Sequence, residues 1–164
     1  FRSWKQKALR NVDSTVSKKA YLKKILLRFI PLGIIILLIA VLASPQTLFS
    51  FPRQRPGIWL IVMFFYPILS AFPQELIYRS FFFHRYKSIF TSNLAMILMS
   101  TVTFGFLHII YDNLPAVILS LFGGYLFSKT YSESRSLLLV SLEHALYGAF
   151  IFTIGLGHYF YEGF

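Results

Sequence analysis

The chain contains no cysteine, which excludes disulfides and thiol chemistry and leaves the redox compartment without a marker. Charge is scarce. Asp, Glu, Lys and Arg make up 13% of the 164 residues, about half the usual share for a soluble domain. Acidic residues are scarcest, 6 against 16 Lys and Arg. No internal repeat is visible, and the apolar stretches lack the strict alternation of a transmembrane β-barrel. The chain is instead rich in apolar residues: 56% hydrophobic, 19% aromatic, mean hydropathy +0.63. A water-soluble domain of this size could not hide that much apolar surface. Continuous apolar runs favour helices, which satisfy their backbone polar groups internally. The expected fold class is therefore all-α, a polytopic transmembrane helical bundle. A net charge of +10 would suggest nucleic acid as a partner of a soluble protein. Here the basic residues flank apolar runs, so topology and anionic lipid account for them, and no nucleic-acid partner is expected.

Residues 1–24 are basic and amphipathic, and an apolar run follows at once. A cleaved signal peptide has a shorter charged region and a small-residue cleavage site. The pattern predicts a surface helix over 4–24 on the cytoplasmic leaflet, anchored by Trp4 and Tyr21 and facing anionic lipids. A flexible basic arm is the alternative. The transmembrane core is expected over 25–164, in about five spans. The first covers 25–43, with Arg28 snorkelling back to the headgroups. A loop with three prolines follows over 44–56. The next apolar segment runs over 57–86 without a polar break. That is roughly 30 residues, or about 45 Å of straight helix, so tilt or kinks at Pro67 and Pro73 are expected. Further spans are expected over 93–110, 115–128 and 137–155, with a short turn at 111–113 and a polar loop at 129–136. The N-terminal basic residues, Arg85, Lys87, Lys129 and Arg135 then share one side, against Arg53 and Arg55 on the other. The positive-inside rule places the N-terminus in the cytoplasm and the C-terminus outside, in what is read as a bacterial inner membrane.

Ionisable groups at bilayer depth cost about 2.5–3.5 kcal/mol each and persist when paired or functional. This sequence has Glu75, Arg79, His108 and the adjacent Glu143 and His144. Glu75 and Arg79 are spaced i, i+4, a helical ion pair. Glu75 lies about 14 residues before the turn between its span and the next, and His108 about 17 after it, so both sit at similar depth. His144 lies well inside the last span. Three helices can therefore present Gln74 or Glu75, His108 and His144 to one cavity. Each residue also has a plainer reading. Arg79 can simply neutralise Glu75, and a lone histidine on an apolar helix is usually a hydrogen-bonded core group. Gly105, Gly123 and Gly124 suit close helix packing. Tyr66, Tyr78 and Tyr147 read as packing or cavity lining. Two histidines and a carboxylate are also a legitimate zinc set, but the i, i+4 histidine spacing of helical zinc proteases is missing. The expectation is no cofactor, with zinc as the alternative.

The order Gln74-Glu75-x-x-x-Arg79, then Phe104-x-x-x-His108, then His144-x-x-x-Gly148 resembles the motif set of the CPBP family. These are the CAAX prenyl endopeptidase-like and bacteriocin-processing intramembrane proteases, also called Abi. The family pattern is Glu-Glu-x-x-x-Arg, Phe-x-x-x-His and His-x-x-x-Asn on successive membrane helices, and the resemblance covers about residues 57–155. It implies a helical core with a conical cavity. It also implies a glutamate and a histidine that activate water to hydrolyse a peptide bond of a membrane-anchored protein or peptide, with the third motif stabilising the oxyanion. Two positions depart from the pattern. Gln74 stands where the family has its first glutamate, and a glutamine is no base at neutral pH. Gly148 stands where the family has asparagine and brings no side-chain donor.

Three explanations follow. Glu75 takes over as base with His108, and His144 serves the oxyanion while Arg79 orients the carboxylate. Or the chain is a degenerate relative, a membrane scaffold, regulator or immunity-type protein that does not cut. Or Gln74 replaces a glutamate by design, although Gly148 as a second departure favours a natural variant. The leading expectation is an intramembrane endopeptidase of the glutamic type. A small transporter or channel has little support without an inverted repeat.

Overall fold

The computed structural model describes residues 18–161. It is 88% helical, with no strand among the described residues. Helix α1 covers Lys18–Ala43, and the short α2 covers Ser50–Gln54. Helix α3 runs unbroken over Pro56–Arg85. Helix α4 covers Asn93–Leu107 and tightens into a 3₁₀ turn over His108–Tyr111. Helix α5 covers Leu114–Ser134, α6 covers Leu137–Ile154, and a 3₁₀ turn over Leu156–Phe160 follows.

Local chemistry sets the helix ends. Ser92, Asn113 and Ser136 are the N-caps of α4, α5 and α6, and each accepts a hydrogen bond from a backbone N–H three residues on. Asp112 and Arg135 adopt the left-handed conformation (φ 51° each), as does Gly155 (φ 104°), and these residues turn the chain from one helix to the next. The two internal prolines of α3, Pro67 and Pro73, do not break it. Proline lacks the N–H that an α-turn needs, and the helix widens into π-turns over Pro67–Ala71 and Leu76–Phe81.

The polarity is inside out relative to a soluble domain. Glu75, Arg79, Ser100, Ser128 and Glu143 are fully buried. Leu42 is 83% exposed and Phe122 72%. Such a surface suits lipid rather than water. Among the described residues, four helical segments are long and apolar enough to cross a membrane: Lys18–Ala43, Pro56–Arg85, Asn93–Tyr111 and Leu137–Ile154. The protein is an integral membrane helical bundle.

Several expectations need correction. Helix α5, read from the sequence as one of about five spans, is not among those four segments, because its 21 residues carry Ser120, Ser128, Lys129, Thr130, Ser132 and Glu133. The polar loop expected over 129–136 is mostly the last turns of α5. Thr130 and Ser132 are buried there, and Glu133 pairs with Lys24 of α1 at 2.5 Å. Residues 1–17, most of the expected surface helix, lie outside the described residues, and Lys18 to Lys24 continue directly into the first span. Arg28 does not snorkel. It turns inward, donates to Thr130 Oγ1 at 2.7 Å and pairs with the fully buried Glu143 of α6.

The core sits where α4, α5 and α6 meet α1 and α3, around Phe104, Phe127, Val140 and Tyr147. A Cβ on Gly105 would meet Leu121 Cδ2 at 2.5 Å, and one on Gly124 would meet Phe104 at 3.1 Å. These glycines let α4 and α5 approach closely.

Candidate active site

Glu75 lies between the two π-turns of α3 and is fully buried. An ionised carboxylate survives there only with partners. His144 of α6 donates from Nδ1 to Glu75 Oε1 at 2.8 Å. Arg79 Nε stands 3.1 Å from Oε2, an ion pair whose angle falls short of a hydrogen bond.

Arg79 is tied to three helices. Its Nη1 donates to Ser100 Oγ of α4 at 3.2 Å and its Nη2 to the Gly124 carbonyl of α5 at 3.4 Å. Ser100 Oγ donates in turn to the Tyr78 carbonyl at 2.6 Å and accepts from Ser128 Oγ at 3.1 Å. The guanidinium lies over the Phe104 ring, 4.6 Å from its centroid, a cation–π contact.

The Phe104 ring touches both histidines. Its ring centroid is 4.8 Å from that of His108 and 5.6 Å from that of His144. Phe127 stacks on His144 from α5, with centroids 4.7 Å apart and planes 19° apart. His108 donates from Nδ1 to the Phe104 carbonyl at 2.9 Å. Both imidazoles thus use Nδ1–H as donor to an oxygen acceptor. In the neutral form each then carries its lone pair on Nε2, where it can act as a base.

The structure brings Glu75, Arg79 and His144 into direct contact and sets His108 beside them, against Phe104. Sequence reading paired Glu75 with His108, whereas the direct bond runs to His144. Gln74 is half-buried and tied to its own helix, donating from Nε2 to Ser70 Oγ at 2.9 Å, while its Oε1 is buried without a donor. Among the described residues, no three His, Cys, Asp or Glu side chains are grouped as a metal site would need. Two residues of the site carried no mark in the sequence: Phe127 clamps His144, and Ser100 anchors Arg79. Tyr66, expected as packing or cavity lining, meets the His144 ring edge-on at 6.0 Å. A lone aromatic or serine among so many apolar residues carries no sequence signal of such a contact.

A membrane-embedded helical bundle that closes on a buried Glu–Arg–His cluster, with a second histidine beside it, defines a class of polytopic membrane protein with the makings of a hydrolytic site. A family model described as type II CAAX prenyl endopeptidase Rce1-like matches residues 56–150, more than half of the chain and all the helices that build the cluster. The chain belongs to this Rce1-like family of CAAX-protease-like membrane endopeptidases. No curated protein and no solved structure gives a significant match.

Proposed function

We propose that the protein is an intramembrane endopeptidase that hydrolyses a peptide bond of a membrane-anchored protein or peptide. The observation that carries this reading is the 2.8 Å bond between Glu75 Oε1 and His144 Nδ1 in a fully buried site. A carboxylate on Nδ1–H fixes the imidazole tautomer, orients the ring and stabilises the imidazolium once a proton arrives. His144 Nε2 takes a proton from water. The hydroxide adds to the scissile carbonyl carbon, and the tetrahedral intermediate collapses as the proton passes to the leaving amine. The products are a carboxylate and an amine. His108, beside the cluster, helps to hold that water through Nε2, and Arg79 aims Glu75. The role first expected of Glu75 passes to His144, with Glu75 as its orienting partner. The reaction as proposed draws on no metal. The surrounding lipid, the cytoplasmic N-terminus and an anionic leaflet against the basic segment belong to the same proposal.

A second reading is favoured by one observation. Gln74 occupies the place of a family glutamate and spends its amide on Ser70. A chain without that carboxylate can keep the fold and bind membrane partners without cutting them.

One experiment separates the two. Protein amino termini are compared in native-host membranes carrying the unmodified protein, His144→Ala or His108→Ala at equal abundance. Termini present with the unmodified protein and lost in both variants support the endopeptidase. Identical termini in all three support the non-cutting relative.

A further inference from the structure

Around Glu75 the carboxylate only accepts, both histidines have committed Nδ1–H, and Arg79, whose Nη atoms donate to the Tyr78 carbonyl, Ser100 and the Gly124 carbonyl, is held against Glu75 and the Phe104 ring. Peptide-bond hydrolysis places negative charge on the carbonyl oxygen of the substrate, and that oxygen needs a positioned donor.

Position 148 lies one helical turn beyond His144, on the same face of α6. It is a glycine, and a Cβ there would overlap the Tyr66 hydroxyl together with Cε1 and Cζ of the ring. The phenol of α3 therefore fills the space that a side chain at 148 would take. Its ring meets the His144 ring edge-on, 79° between planes, and rests on Phe152 at 5.5 Å. Tyr66 also lines an open apolar pocket of about 310 Å³, shared with Ile58, Val62, Phe65 and Phe152. Ile58 and two further lining residues, Ile61 and Leu69, are exposed on α3. One side of the phenol thus faces the histidine, and the other faces a pocket open to the lipid side.

We infer that Tyr66 is a catalytic residue of the proposed hydrolysis. Its O–H donates to the developing oxyanion from the space that Gly148 leaves open. The inference rests on the endopeptidase reading and adds to it. Gly148 is then no loss of function, because the glycine admits a donor from a neighbouring helix. No bond to Tyr66 forms or breaks. The phenol keeps its proton, and its hydrogen bond shortens as charge grows on the oxygen.

The test uses the full-length protein in lipid nanodiscs and a fluorogenic peptide spanning the cut site found by the terminus comparison. Tyr66→Phe keeps the ring and removes only the O–H. The expected result is a fall in kcat of about 10²–10³-fold with KM nearly unchanged. Two double variants control for packing. Tyr66→Ala with Gly148→Asn restores a donor from α6 and is expected to exceed Tyr66→Ala with Gly148→Ala at least tenfold. Unchanged kcat in Tyr66→Phe, or equal turnover of the two double variants, overturns the assignment and leaves the endopeptidase standing. If the unmodified protein yields no cut site at all, the endopeptidase reading and this inference fall together.

Discussion

Glu75 and His144 are 69 residues apart in the sequence and 2.8 Å apart in the bundle. The contact locks α3 to α6 and leaves the outer nitrogen of the imidazole as its reactive end. It also makes Glu75 serve two partners, Arg79 at Oε2 and His144 at Oε1.

The first prediction concerns Arg79. Removing one partner of a buried ion pair leaves an uncompensated charge and costs about 3–5 kcal/mol. Arg79→Ala and Glu75→Ala should each destabilise the bundle by that amount, and the double variant by clearly less than their sum. Reversible unfolding in detergent micelles measures all three. Simple additivity would mean that the two side chains are not coupled.

Arg28 gives a second, independent test. It pairs with a fully buried carboxylate while keeping about a fifth of its own side chain exposed. Arg28→Ala should cost about 3 kcal/mol, the low end of the range for a broken buried pair. An arginine that only reached for the headgroups would behave like a surface residue, changing stability by about 0.5 kcal/mol or less. The same unfolding assay distinguishes the two.

Gly148→Ala should overpack the contact with Tyr66. Extra volume in a filled core costs about 1–3 kcal/mol. Shortening the opposing side chain with Tyr66→Ala should relieve much of that penalty. Comparing the two single variants with the double variant by thermal unfolding checks it, and a fully tolerated Gly148→Ala would mean the phenol does not rest there.

Gln74→Glu should raise turnover. It places a second carboxylate one residue from Glu75, where the glutamine Oε1 now lies buried without a donor. A well-placed general base contributes about 10²-fold or more. Initial rates on the fluorogenic peptide would show it. A rate equal to that of the unmodified protein would leave His144 as the base that sets the speed.

Much of this was legible in the residues themselves. Long apolar runs announced the spans, and the missing polar break between 57 and 86 announced α3 as one long helix. The i, i+4 spacing gave the Glu75–Arg79 pair directly, because both residues lie on one helix. The contacts between helices were not legible. Depth arithmetic treats helices as straight rods, but the π-turn over Pro67–Ala71 shifts the face of α3 that follows it, and Glu75 bonds to His144. Arg28 looked like a headgroup anchor because its partner, Glu143, is 115 residues away. The polar end of α5 looked like a loop because its buried face is made of Thr130 and Ser132, which packing turns inward. Gly148 looked like a deletion of chemistry, since only the fold brings Tyr66 opposite it.

The bonds of Arg79 also bear on how the chain enters the bilayer. As α3 leaves the insertion machinery it carries a carboxylate and a guanidinium, and the donors and acceptors that satisfy them beyond each other are on α4, α5 and α6, which are synthesised later. A lone charge would cost about 2.5–3.5 kcal/mol in lipid; the two offset each other within α3, and what remains of the cost falls as Ser100, Gly124 and His144 follow. The cluster that holds the site together thus also favours keeping the helices in company during insertion.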